Sequence, residues 1–441
     1  MRNCRLIAIA AATTLAATLF LITTQQAAAQ APSHTKVRVS DVDPELQRLL
    51  TQAQQAIDKN DYATAIQIYS DAATKYPTNA TIHFQLGWAY TALNDSENAA
   101  VHYRRATELD PKMDPAFVNL GLALIDKHPA EAIAPLRKAI ELHRGPLPTY
   151  LLGMALEKTG DIPGAIEEFR NALELDSSNA DIHLALARAL LQTQHYEEAE
   201  KEFRTAIALR SDSAPAHYGL AESLLEQKKN EAAADELATY LQSSPKDALA
   251  RIKRASILTD LGKNEEALAE LDQAATVRPE SPETLKLRSL VYFRLKRYDL
   301  SVAALQKLET AAPGDTDIHA RLGHVLLDKK DYPGAVKELV IAFRADPRQN
   351  DVLHDLLLAE YLGGNYSAAL ALLDEIGKRE TLAITSVYIR ASCYDKLGRK
   401  QEAIDAYRKF LELNDGKTND EYFVSAERVR ILERELKEKK K

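Results

Sequence analysis

The sequence predicts an all-α fold, an α-solenoid of tandem helix-turn-helix units closed by a carboxy-terminal capping helix. Composition is the first reason. In 441 residues there are only 16 glycines and 17 prolines, and Ala, Leu, Glu and Lys dominate, the residues that lose least on entering a helix. Periodicity is the second. Small residues recur at Ala53, Gly87, Gly121, Gly153, Ala187, Ala221, Ala255, Ser289, Gly323 and Ala391, in steps of 34 or its multiple except for 32 between Gly121 and Gly153. Leu357 alone breaks this small slot.

A second small slot follows twelve residues later, at Ala65, Ala99, Ala165, Ala199, Ala233, Ala267, Ser301, Ala335, Ala369 and Ala403, with Ala132 one position early. Four residues on comes a bulky side chain, as at Tyr69, Tyr103, Phe169, Phe203, Leu237 and Tyr407, and many copies close with proline, as at Pro77, Pro111, Pro245, Pro279, Pro313 and Pro347. Each unit therefore reads as two amphipathic helices around a short turn. In the first helix His83, Leu86, Gly87 and Tyr90 share one face by i, i+3 and i+4 spacing, and Ala99, Tyr103 and Ala106 do so in the second. Gly87 costs roughly 1 kcal/mol relative to alanine in a helix interior, and it is expected there because closely packed helices need a small residue where their axes approach.

The stretch "HFQLGWAYTALNDSENAAVHYRRATELDP" resembles the tetratricopeptide repeat family, with its run of large residue, Leu, Gly or Ala, Tyr, then Ala, Phe or Tyr, Ala and Pro. The resemblance covers eleven copies over residues 46–417 and implies a right-handed superhelix. Copy three, two residues short and with Pro135 in its second helix, and copy ten, with Leu357, are expected to pack abnormally. Residues 418–441 form the capping helix and a basic tail. Its apolar stripe is Tyr422, Ala426, Val429, Leu432 and Leu436, against a charged face of Glu427, Arg428, Arg430, Glu433 and Arg434.

Residues 1–29 read as a secretory signal peptide: Arg2 and Arg5, the apolar run Leu6 to Ile22, then small residues. Residues 30–45 are a leader. The expectation is an exported protein, of a Gram-negative periplasm or secreted, with no membrane span after signal removal; an uncleaved anchor would give the same topology. Cys4 leaves with the signal, so Cys393 is alone in the mature chain and is expected to be a small buried residue. The formal charge is −8 for the whole chain and −10 once the two signal arginines are gone, the wrong sign for sequence-independent nucleic-acid binding.

No motif for a metal hydrolase, phosphate loop, nucleophile elbow, paired-cysteine site or calcium loop occurs, so the chain is expected to be no enzyme and to need no cofactor or metal. His83, His183, His217 and His319 share one repeat slot, where equivalent positions stand about 10 Å apart and cannot ligate one ion. They are read as core packing. Glu197, Glu198, Glu265 and Glu266 begin second helices, where they complement the helix dipole.

If Gly87 faces the partner helix, Trp88 is turned about 100° away. The resemblance makes that stripe the concave wall, where partner segments bind. Its residues are Phe84, Trp88, Val118, Leu122, Tyr150, Met154, Leu184, Arg188, Tyr218, Glu222 and Ile252, with Asp58, Asp126, Asp181, Glu226 and Asp260 nearby. An exposed apolar strip with a polar border is an interaction signal. The family's clamp for a terminal carboxylate needs Lys at the Phe84 slot and Asn at the Trp88 slot of one copy, a pair found in none. The function expected is therefore a non-enzymatic scaffold for protein or peptide segments in an envelope assembly or secretion complex. The alternative is a saccharide-handling scaffold for polysaccharide export, with Trp88, Tyr150 and Tyr218 as stacking platforms.

Overall fold

A computed structural model describes residues 43–311, 315–414 and 420–438. The signal segment with Cys4, most of the leader, Pro313 and the last three lysines lie outside the described residues. Those described form twenty-three helices and no strand. They divide into two compact units, one ending at Pro245 and the other beginning at Lys246.

The first unit holds six helix pairs: α1 (Pro44–Asp58) with α2 (Tyr62–Lys75), α3 (Ala80–Ala92) with α4 (Ser96–Leu109), α5 (Asp114–Leu124) with α6 (Pro129–Leu142), α7 (Pro146–Thr159) with α8 (Ile162–Leu175), α9 (Ala180–Gln192) with α10 (Tyr196–Leu209), and α11 (Ala214–Glu226) with α12 (Asn230–Ser243). The second holds five more, α13 (Ala248–Asp260) with α14 (Asn264–Val277), α15 (Pro282–Arg294) with α16 (Tyr298–Ala311), α17 (Asp317–Asp328) with α18 (Tyr332–Ala345), α19 (Asn350–Leu362) with α20 (Tyr366–Arg379), and α21 (Ile384–Lys396) with α22 (Lys400–Leu413), followed by α23 (Asp420–Glu438). Inside each unit a helix packs chiefly on its sequence neighbours, so each is an all-α repeat solenoid.

The turn within a pair is set by one residue in the left-handed region, seven after the small slot. It is Asn60, Asn94, Gly160, Gln194, Lys228, Gly262, Lys296, Lys330, Gly364 or Gly398, with φ between 56° and 90°. Such a residue ends a helix by turning the chain so that its last carbonyls are satisfied. Copy three is the exception. Its shortened turn has His128 at φ −135° instead, and α6 nevertheless runs through Pro135. The second helices often begin at an aspartate whose carboxylate accepts the amide hydrogen three residues on: Asp61 from Thr64, Asp95 from Asn98, Asp161 from Gly164 and Asp331 from Gly334.

The small slot is the seam between paired helices. A Cβ added at Gly87 would meet the Tyr103 ring at 2.7 Å, at Gly153 the Phe169 ring at 2.6 Å, at Gly121 Leu136 at 2.4 Å and at Gly323 Leu339 at 2.4 Å. Copy ten departs from this rule: Leu357 and Leu373, sixteen residues further on, are both buried in one cluster. One glycine outside the slot serves the next junction. Gly219 of α11 lies against Phe203 of α10, where a Cβ would come within 2.3 Å of the ring.

Helix α23 covers the last pair with Leu432, Val429 and Leu436, packed on Ala391, Ala403, Ile404 and Tyr407. Arg428, expected on the charged outer face, instead turns inward and forms two hydrogen bonds, at 2.7 and 2.8 Å, with the Asp395 carboxylate. Phe423 and Val424 remain exposed. Cys393 is fully buried against the residues of copy ten, and that burial pushes its thiol up to about 11.

Candidate partner-binding wall

The first helices present the predicted strip, but not uniformly. Phe84 and Leu184 are buried, only 8% and 4% exposed, so neither stands on an open surface. The reason is geometric: Phe84 lies three residues before Gly87, between the stripe and the seam, and its ring tilts onto Tyr103 at 5.7 Å. Trp88, Val118, Leu122, Tyr150, Met154, Tyr218 and Glu222 are half-buried, and Arg188 is exposed. Ile252, also half-buried, belongs to the second unit.

The aromatic rings are held by neighbours. Trp88 meets Tyr62 of the preceding copy edge-on at 6.0 Å, Tyr150 tilts onto Phe169 at 5.8 Å, and Tyr218 meets Tyr240 edge-on at 5.1 Å. Burial pushes the Tyr150 hydroxyl above its ordinary pKa, with the nearby Asp181 and Glu157 acting in the same direction. These rings are fixed rather than free to collapse, so a ligand would meet them with little further loss of rotamer freedom.

The acids that border the strip are mostly engaged within the protein. Asp126 takes a hydrogen bond from Lys158 at 2.6 Å, and Asp181 accepts two from Arg210 at 2.8 and 3.0 Å. Asp58 accepts one from Gln54 at 2.9 Å. Glu226 and Asp260 are exposed.

The histidine slot hides a feature that residue type alone does not reveal. His183 Nδ1 lies 2.6 Å from Glu202, His217 Nδ1 2.6 Å from Glu236 and His319 Nδ1 2.7 Å from Glu338, each pair separated by nineteen residues. Arg251 and Glu270 fill the same two positions at 2.6 Å. The slot is thus a polar tie between the helices of one copy, not plain packing. A search for carboxylates nineteen residues after each slot member would have found it. In copy two the partner is another histidine: His83 and His102 stack at 5.6 Å, and His102 stacks on Tyr90 at 5.4 Å. Burial lowers both histidines below their usual pKa.

In the second unit the Phe84 and Trp88 slots are mixed: beside Ile252, Leu290, Leu358 and Tyr388, three of them hold paired polar groups. Lys286 donates to Asp315 at 2.8 Å, His324 pairs with Asp355 at 3.0 Å, and His354 pairs with Glu380 at 2.8 Å. The hydrogen bond with Asp355 raises the His324 pKa against the opposing effect of burial. Among the described residues no three His, Cys, Asp or Glu side chains converge as a metal site, and no helix is long and apolar enough to cross a membrane.

Family profiles described as tetratricopeptide repeat match residues 50–114, 122–180, 252–316 and 321–380 with one form, 156–221 and 195–257 with a second, and 384–416 with a third. The chain belongs to the tetratricopeptide repeat family. It is 31% identical over 100 residues to the heat-shock protein cognate co-chaperone sgt12 of Aspergillus fumigatus, covering 23% of this chain and 29% of that protein. It is 29% identical over 119 residues to the BBSome complex member BBS4 of Xenopus tropicalis, covering 27% and 23%. The chain thus spans less than a third of the length of these two curated relatives. Similar solved structures include a tetratricopeptide repeat protein from Parabacteroides merdae, with 16% identity, a TM-score of 0.40 and coverage of 56% of this chain and 98% of that one. PilW, described as a type IV pilus biogenesis factor, has 18% identity, a TM-score of 0.41 and coverage of 46% and 96%. Repeats of this family across the chain support a protein-interaction scaffold.

Proposed function

We propose that this tetratricopeptide repeat scaffold binds protein segments along the first-helix wall of its first unit, and that it does so without catalysing a reaction. The observation that carries the reading is the set of half-buried apolar side chains Trp88, Val118, Leu122, Tyr150, Met154 and Tyr218, beside acids that are tied to Lys158 and Arg210. Covering such side chains releases water from apolar surface at roughly 25 cal/mol per Å², while the neighbouring ion pairs need not be broken. The amino-terminal basic and apolar signature supports export and a role in envelope assembly or secretion.

The test is site-specific crosslinking in cells that make the protein. A photoreactive phenylalanine analogue at Leu122 or Met154 should capture one protein, whereas the same group at the exposed Val101 of α4 should not. Capture equal at all three positions, or a bound glycan in place of a protein, would refute the proposal.

A further inference from the structure

The junction between copies five and six breaks a rule that every other copy obeys. One residue after the second small slot stand Ile66, Ala100, Ile133, Ile166, Ala234, Leu268, Val302, Val336, Leu370 and Ile404, all apolar, and in copy five Glu200. This glutamate is 6% exposed. Across the junction, two residues after the first small slot, copies two to eleven hold Ala, Ile, Val or Cys everywhere except Ser223 in copy six. Two substitutions that face each other have turned an apolar contact into a polar one.

Taking a carboxylate out of water is costly unless its oxygens are fully occupied. Glu200 Oε2 accepts from Gln227 Nε2 at 2.7 Å and from Lys229 Nζ at 2.8 Å, and Oε1 accepts from Arg204. Ser223 and Gln227 donate to the Tyr196 carbonyl at 2.8 and 3.3 Å. Burial would raise the Glu200 carboxyl, but Lys229, Gln227 and Arg204 outweigh it and hold it below its usual range. Glu200 is therefore a fixed anion that anchors two cations whose own side chains stay about half exposed.

Those cations line a crevice of about 800 Å³, together with Lys201, which makes no ion pair among the described residues. The equivalent crevice between copies two and three, where Ala100 and Ala123 hold the two positions, is about 310 Å³. Three positive groups, Lys201, Arg204 and Lys229, thus stand around a cleft that also carries the exposed Glu197 and the buried Glu200, whose carboxylate is already satisfied from within, a balance of one positive charge. Breaks in otherwise consistent local chemistry are the places where proteins commonly carry function.

We propose that this crevice is a second binding site, which takes an acidic segment of a partner protein by pairing its side-chain carboxylates with Arg204, Lys229 and Lys201. Glu200 is its positioning residue. The site uses no residue of the first-helix wall and stands whether or not that wall binds a partner.

The test uses the full chain and a fluorescein-labelled peptide of six glutamates, with the six-glutamine peptide as control, read by fluorescence anisotropy. Wild type should bind the glutamate peptide saturably, with affinity falling as salt rises, and ignore the glutamine peptide. R204Q/K229Q should lose at least about tenfold, as an unpaired charge-assisted contact does. Glu200→Ile restores the residue type of the other copies, so it should keep or raise the thermal midpoint while losing at least about tenfold in peptide affinity. No binding up to about 1 mM, a dissociation constant still worth about 4 kcal/mol, would overturn the proposal. So would unchanged affinity in R204Q/K229Q, unchanged or increased affinity in Glu200→Ile, or displacement of the peptide by pyrophosphate below the peptide's own dissociation constant, which would mark a phosphate site.

Discussion

In the first unit the Trp88 slot and its neighbours carry Trp88, Leu122, Met154 and Tyr218, and the charges beside them are closed off, Asp126 by Lys158 and Asp181 by Arg210. In the second unit copies eight to ten place Lys286, His324 and His354 on the same helix stripe, each already bonded to an acid: Asp315, Asp355 and Glu380. The backbone register is the same in both. What differs is what a partner would gain. A polar side chain that already has its bond exchanges one hydrogen bond for another, at a net of about 1 kcal/mol or less, whereas an apolar side chain gains in proportion to the water it sheds. The same repeat can thus keep one stretch for binding and another for its own cohesion.

The largest effect expected is on the packing behind the first wall. Gly153→Leu drives a side chain into the Phe169 ring, which lies 2.6 Å from where even a Cβ would stand, while in the second unit Leu357 is native and is buried with Leu373. The substitution should cost at least about 1 to 3 kcal/mol and strip hydrogen-exchange protection from α7 and α8 while leaving α19 and α20 unchanged. Full protection of α7 in the variant would mean that the slot does not set the spacing.

Next in size is the binding difference. Trp88→Ala should weaken segment binding by about 2 kcal/mol, roughly 30-fold, with helicity by circular dichroism nearly intact. His324→Ala should change affinity less than about threefold, under about 0.7 kcal/mol. Similar losses from the two variants would erase the contrast between the walls.

Acidity should move copy two and the region around His324 in opposite directions. His83 and His102 are lowered by burial from the ordinary histidine value of 6.5, so the stability they contribute is complete above that value and is lost as pH falls toward their folded values. His324 is raised by Asp355, so its contribution is complete below 6.5 and is lost as pH rises through its folded value. Histidine resonances followed by NMR should titrate below the free value for the first pair and above it for His324. Hydrogen exchange compared at about pH 5.5 and 7.5, on either side of the free histidine value, should show copy two weakening on acidification and the His324 region strengthening. The smallest effect is Arg188→Ala. Its contact with Glu157 is 3.7 Å long with Arg188 well exposed, so the unfolding midpoint in urea should change by less than about 0.5 kcal/mol equivalent.

Much of this was legible in the sequence because tandem copies serve as one another's controls. The 34-residue spacing located every helix pair, and a glycine opposite an aromatic sixteen residues on accounts for Gly87 with Tyr103 and Gly153 with Phe169. What stayed hidden was the environment of single side chains. Phe84 shares a stripe with Trp88, yet it sits close enough to the seam to be buried. The carboxylates that tie His183, His217 and His319 lie nineteen residues away on the partner helix, outside any local pattern. Gly219 and Glu200 act across the junction between copies, so neither belongs to a motif of one copy. Arg428 looked like a solvated charge because Asp395, thirty-three residues earlier, is brought to it only by the packing of α23.

The central claim is that a partner segment lies on the first wall, and Trp88, the chain's only tryptophan, reports on it directly. The segment crosslinked through Leu122 or Met154, made as a synthetic peptide, should be titrated into the full chain while tryptophan emission and acrylamide quenching are followed. The account predicts a saturable emission change and reduced quenching, with the same midpoint as binding measured by anisotropy of a labelled peptide. Saturable binding that leaves both the emission and the quenching of Trp88 unchanged would contradict it.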